Sequence, residues 1–303
     1  MGRLFKAFVF KIRRDLTFRI TLIIGIGMAV LMTLIYLALD LALETYGTEN
    51  RMLSGANMLL NSFSPVQNYG IAIPVNLISF TCLEFTQGTI RNKIIAGNSK
   101  FKIYASLCIS GLIFAFSLLI VYVGLCTLMG TIFGGFDLNR PIMVGTMQMS
   151  VDKSYVPLTL LFAALTYVSI VMFAIFIATL FRNIGPSIPV VMVALMLLYF
   201  SAYITSAMAM FFDENNVIVT IMKVLNPLYA ISGGVDYNTF EVPLLDEAGQ
   251  PLLDDNGTPV TQTMYDSATY ATDTIVCSIV NNVVYAGIFF AAGSLLFTKR
   301  DVK

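Results

Sequence analysis

Long apolar runs separated by short polar stretches dominate the chain. Residues 20–39 carry no charge, and comparable runs cover 103–133, 156–181, 188–212 and 275–297. A further run, 66–83, is interrupted by Gln67, Asn68, Pro74 and Asn76. A hydrocarbon core about 30 Å thick is crossed by about 20 apolar residues as helix, so the pattern predicts six spans. The runs are continuous rather than alternating, which favours helices over a barrel, and a helix pairs its backbone groups within its own segment. The fold class expected is an all-α membrane protein, a single transmembrane domain over residues 1–303. The 103–133 run exceeds the core thickness and predicts a tilted or protruding helix.

The segments between the runs have patterns of their own. In residues 3–19, Leu4, Phe5, Phe8, Val9, Ile12 and Leu16 fall within an arc of about 140° on a helix. Arg3, Lys6, Arg13 and Arg14 lie opposite. Such a segment rests in the membrane interface with its cations toward the headgroups. It reads either as a basic anchor or as an elbow helix leading into the first span. The loop 84–102, EFTQGTIRNKIIAGNSKFK, has room for about two helical turns over Thr89–Ala96, bounded by Gly88 and Gly97. Ile90, Ile94 and Ile95 would face one way and Arg91 and Lys93 elsewhere, with Arg91 or Lys93 available to pair Glu84. A short stiff helix of mixed polarity is a shape that docks into a protein groove; an ordinary charged hairpin is the plainer alternative.

On the other side of the spans, 41–65 and 134–155 read as modest loops and 213–273 as a large one. Its first part, IMKVLNPLYAISGG, is apolar enough to rest on or dip into the membrane surface. A short repeat follows, PLLDEAGQ at 243–250 and PLLDDNGT at 251–258. With the turn signal Asn256-Gly257 it predicts a small hairpin-like cap. Its carboxylates lack the order of a calcium loop and read as a solvated acidic face.

Composition agrees with a lipid environment: 57% of the residues are hydrophobic and 12% charged, against about 25% charged in soluble domains. The formal net charge is zero, so no attraction to nucleic acid is expected. The distribution of charge is informative. With the N-terminus inside, fourteen of the eighteen basic residues fall on the inner side and fifteen of the eighteen acidic ones outside. That bias predicts both termini in the cytoplasm. The first run is too long for a signal-peptide core of about 7–15 residues and reads as a retained span.

Candidate chemistry is sparse. The chain has no His, which excludes histidine triads and HExxH metal sites. Cys82, Cys108, Cys126 and Cys277 stand singly in apolar surroundings and read as small apolar groups. No Gly is followed by Lys, so the P-loop is absent, no cofactor site is expected, and the chain does not read as an enzyme. No charge lies near a span centre and no broken span is evident, which argues against an ion-coupled carrier. The candidates for a polar pathway are Asn76 beside Pro74, and Asn281 with Asn282; hydrogen bonding between helices is their plainer reading. Gly130 and Gly134 form one GxxxG.

Taken together, the basic N-terminal segment, the stretch EFTQGTIRNKIIAGNSKFKIYAS, the segment LNPLY and the ending LLFTKRDVK resemble the membrane subunits of ABC type 2 exporters. Glu84, Gly88-Thr89 and Arg91 match the family's E…GTxR pattern, and 297–303 matches its F-x-K-R-D-x-K ending. Asn98 departs from the Pro or His frequent after Gly97 in that family, and the large acidic outer loop is a second departure. The resemblance implies a multi-pass permease of the plasma membrane, in a bacterium the cytoplasmic membrane. It implies pairing with a second permease copy or paralogue and with separate ATPase subunits that bind the ATP. Glu84, Gly88, Thr89, Arg91, Lys93 and Ile94 would then couple to the ATPase. An uncharged bundle rich in Met and Phe suits a hydrophobic or amphipathic cargo, such as a drug, a lipid or an antimicrobial peptide. A sensor or immunity protein binding a peptide at its outer loop, or a secondary carrier, are the alternative expectations.

Overall fold

The computed structural model describes residues 14–45, 53–65, 69–137, 142–144, 147–151, 154–211, 217–232, 236–243, 261–270 and 272–299, with Phe10 and Ile12. Its helices are α1 (Leu16–Thr45), α2 (Gly55–Phe63), α3 (Tyr69–Thr86), α4 (Thr89–Ile95), α5 (Lys100–Gly134), α6 (Tyr155–Phe181), α7 (Ile184–Phe211), α8 (Val217–Leu225), α9 (Tyr229–Ser232) and α10 (Thr272–Lys299). Among the described residues five helices are long and apolar enough to cross a membrane: Leu16–Ala42 of α1, all of α5, α6 and α10, and Ile184–Thr205 of α7. The chain is a multi-pass membrane protein by this measure. The interrupted run 66–83 corresponds to α3, whose apolar stretch Gly70–Thr86 is shorter than the other five.

Local sequence sets the boundaries. Asp15 accepts the Phe18 N–H at 3.2 Å and caps α1, so the span begins at Leu16. Of the expected elbow helix, Ile12 is buried and the Arg14 guanidinium sits 4.5 Å from the Phe10 ring centroid; residues 3–9 lie outside the described residues. Ser54 caps α2 and Ser99 caps α5 through their hydroxyls. Gly135 at φ 76° and Arg182 at φ 55° stop α5 and α6 in backbone regions a helix cannot continue.

α6 is the centre of the bundle. The most apolar stretch of α6 is 61% buried, against 17% for α1 and 11% for α10. Ile23, Leu31 and Leu34 on α1 and Val283, Ile288 and Leu295 on α10 point outward, as suits a bundle whose solvent is hydrocarbon. Lipid supplies little hydrophobic drive between helices, so close packing and hydrogen bonds hold such a bundle. The rings of Phe18, Phe80 and Phe114 join α1, α3 and α5 at centroid distances of 5.4 and 5.3 Å.

The loops at one end add a feature that hydropathy does not signal. Strands β1 (Ile142–Val144), β2 (Met147–Val151), β3 (Asp236–Pro243) and β4 (Thr261–Thr269) form one sheet in the order β1-β2-β4-β3. β1 and β2 are antiparallel, as are β3 and β4, while β2 and β4 run parallel. Two loops distant in sequence thus share one sheet, and the all-α expectation applies to the bundle alone. β3 and β4 flank the acidic repeat, of which 244–258 lies outside the described residues. The sheet meets the bundle at Tyr270, which stacks on Tyr155 at 5.0 Å and shares a 2.9 Å hydrogen bond with Thr159. Burial pushes the Tyr270 phenol above its usual range, so this anchor stays neutral and hydrogen-bonded.

Candidate functional site

The 84–102 loop folds into a braced turn of helix. α4 begins after Gly88, whose φ of 67° fits the left-handed region that glycine enters readily. Thr89 Oγ1 donates to the Glu84 carbonyl at 2.8 Å, and Lys93 Nζ meets Glu84 Oε2 at 2.7 Å. Of the two bases available to Glu84, Lys93 is the one that takes it. The Glu84 side chain is only 1% exposed, so the pair works at reduced dielectric and fixes α4 against α3. At the far end Gly97 has φ 84°, and the Asn98 Nδ2 donates to the Lys93 carbonyl at 3.0 Å. Asn98 therefore caps the helix. Ile90 is buried and Ile94 packs toward the core, whereas Arg91, Asn92 and Ile95 are exposed, Ile95 to 73%.

Aromatic packing secures this end of the bundle. Phe297, from the closing motif, is fully buried and contacts Phe85 and Tyr104 at 6.1 and 5.7 Å. Gly293 permits the contact, because a Cβ there would run into the Tyr104 hydroxyl. Lys100 donates to the Thr298 carbonyl at 3.1 Å, placing a cation at the C-terminal end of α10. Residues 300–303 lie outside the described residues.

A second feature lies deeper. α2 and α3 both pack along α5, α2 where a Cβ on Gly134 would strike the Leu53 carbonyl and one on Gly130 would lie 2.6 Å from Met58 Cγ. Between them the helix is interrupted: Ser64 closes α2 with its N–H on the Leu60 carbonyl, and α3 starts at Tyr69. The Pro65 carbonyl accepts the Tyr199 hydroxyl at 2.8 Å, and Phe63 lies 6.3 Å from the ring of Tyr167. Tyr167 and Tyr199 are each near the middle of their helices, so the interruption lies at mid-bundle. Residues 41–65 read as a loop from hydropathy, whereas Gly55–Phe63 is helical and ends at Ser64 and Pro65, with α3 resuming at Tyr69. Asn57, Asn61, Ser62 and Ser64 hide it, because α2 is covered by α5 and α6 and has no need of a uniformly apolar surface. The GxxxG pair was the available signal.

A third feature joins α6, α7 and α10 through the LNPLY segment. Helices α8 and α9 flank a buried turn at 226–228. Asn226 Nδ2 donates to the Leu198 carbonyl at 3.1 Å and to Ser201 Oγ at 2.7 Å. Asn282 Nδ2 donates to the Pro227 carbonyl at 3.2 Å and the Ser278 carbonyl at 3.0 Å, while its Oδ1 accepts from Ser169 at 3.0 Å. Tyr285 donates to the Leu225 carbonyl at 2.7 Å.

The pathway candidates are thus dispersed. Asn282 is buried in that network, Asn281 beside it is half-buried, and Asn76 donates at 2.8 Å to the Ala72 carbonyl of its own helix. The four cysteines are unpaired, with Cys277 half-buried and the others buried. Among the described residues no group of three His, Cys, Asp or Glu could hold a metal. No family model, curated protein or solved structure matches the chain.

Proposed function

We propose that the chain is the membrane subunit of an ATP-driven exporter, of the ABC type 2 kind that its sequence resembles. The observation that carries this reading is α4. A two-turn helix fixed by an ion pair and capped by Asn98 at its C-terminal end, with Arg91, Asn92 and Ile95 turned outward, offers a partner a rigid surface. Because α4 is tied to α3 through Glu84, force applied to it passes directly into the bundle. The ATPase would close on ATP, push α4, and shift the helices between two states that bind cargo differently. Two copies or paralogues would enclose the pathway, α4 would face the cytoplasm, and the cargo would be hydrophobic or amphipathic.

The test is purification of the chain from its own cells in mild detergent, with mass spectrometry of what accompanies it. A stoichiometric partner bearing a P-loop is expected, and Arg91→Asp or Ile95→Asp should lose it while still inserting in the membrane. Absence of any ATPase after cross-linking at 89–96 would overturn the reading.

The mid-bundle interruption favours a second reading, a secondary carrier, since such proteins build their sites at discontinuous helices. Ser64 and Pro65, where α2 ends, hold no ionisable side chain, so this carrier would move a neutral solute. Flux in proteoliposomes separates the two: ATP-dependent with the ATPase present for an exporter, driven by a gradient on the chain alone for a carrier.

A further inference from the structure

Beneath the 226–228 turn, α7 and α10 both pack on α6 but leave a cavity of about 200 Å³ between them. Its walls are Phe173, Leu195, Leu198, Leu228 and Phe289, with Thr166 and Ser169 on the side toward the turn. We propose that it binds a small, uncharged, ring-sized hydrophobic molecule drawn from the membrane.

Four observations carry the assignment. The first is volume: an apolar cavity of about 150 Å³ stays dry and accepts benzene, so this space suits a single ring with a short substituent. The second is chemistry. Among the described residues no charge lines the cavity, its polar surface is slight, and the hydroxyl groups around it already donate, Ser169 to Asn282, Tyr285 to Leu225 and Thr166 toward the Pro227 carbonyl. A charged ligand would find no counter-ion there and would lose its hydration without return. The third is access, since Phe173, Ala194, Leu198, Tyr285 and Phe289 are each only half-buried and lead outward between α7 and α10. The fourth is rigidity. The roof is the hydrogen-bonded 226–228 turn, so the cavity cannot close by simple collapse of a loop. The site needs only the fold and stands whether or not an ATPase partners the chain.

The experiment uses the full chain in phosphatidylcholine nanodiscs, photolabelled with 3-trifluoromethyl-3-phenyldiazirine, an uncharged single-ring probe. Labelled residues are mapped by mass spectrometry with and without excess toluene. Label on Phe173, Leu198, Tyr285 and Phe289 should be lost to toluene, as at a saturable site. Label on Leu197 and Ile288, which point outward from the same helices at 64% and 54% exposure, should persist, because probe dissolved in lipid is not displaced. Ala194→Phe, which fills the cavity, should abolish the toluene-sensitive label. Ala194→Leu is the milder substitute, with circular dichroism confirming the helices of either variant. Cavity label that toluene leaves unchanged would overturn the proposal, as would toluene-sensitive label that survives in a folded Ala194 variant.

Discussion

At the scale of single residues, neighbours with the same chemistry in the sequence have different positions in space. Asn281 and Asn282 are adjacent, yet a helix turns 100° per residue, and only Asn282 reaches Pro227, Ser278 and Ser169. Replacing Asn282 with Ala takes the 3.2 Å donor from the buried Pro227 carbonyl and leaves it Thr166 at 3.4 Å. Interhelical bonds in membrane proteins average about 0.6 kcal/mol and reach about 1.7, so Asn282→Ala should cost about 1–2 kcal/mol by reversible unfolding in detergent and Asn281→Ala less. Glycines divide in the same way. Gly124 has open space where a Cβ would go, while Gly134 faces the Leu53 carbonyl. Gly134→Ala should therefore destabilise the protein by about 1–3 kcal/mol through overpacking, and Gly124→Ala should change stability by about 0.5 kcal/mol or less. Equal losses in the two would contradict the α2–α5 contact. Residue types alone could not separate these pairs, because separation needs the azimuth of each residue and the identity of the helix beside it.

At the scale of elements, what hydropathy reads well is a surface facing lipid. The outer helices α1 and α10 were legible for that reason, and the central α6 because its buried surface is apolar as well. A helix packed against other protein need not be uniformly apolar, so α2 stayed hidden among Asn and Ser, and the short strands of mixed polarity looked like loop. The 84–102 loop was legible through its glycines, and Gly88 and Gly97 do bracket α4. Its energetic core was only half readable, since Glu84 had two candidate bases and geometry selects Lys93. Removing either member of a buried pair leaves the other uncompensated. Glu84→Gln and Lys93→Met should each loosen α4, and the double variant should lose less than the sum of the single ones. A double-mutant cycle on thermal stability measures this, and strict additivity would mean the pair holds nothing in place. For the interrupted helix, Tyr199→Phe deletes the donor to Pro65 and should lower stability by about 1 kcal/mol with secondary structure unchanged by circular dichroism.

At the scale of the whole molecule, the distribution of charge and the architecture can be set against each other. One end of the bundle holds α4, the starts of α5 and α7 and the close of α10, and carries Arg91, Lys93, Lys100, Lys102, Arg182 and Lys299. The opposite end carries the four-stranded sheet, assembled from loops that hold most of the acidic residues. Basic residues in short loops are retained on the cytoplasmic side during insertion, so the sheet end should face outward and α4 inward. Single cysteines report this in a Cys277→Ser background, the other native cysteines being buried. Ile95 and Ser154 are both exposed and stand at opposite ends. A membrane-impermeant maleimide should label Ser154→Cys in intact cells and Ile95→Cys only in inside-out vesicles. The reverse pattern would invert the molecule and leave α4 facing away from any cytoplasmic ATPase, which removes the exporter reading while preserving the bundle. Labelling of both positions from one side would instead break the arrangement of spans itself, since α5 could then not carry the chain from α4 to the sheet across the membrane.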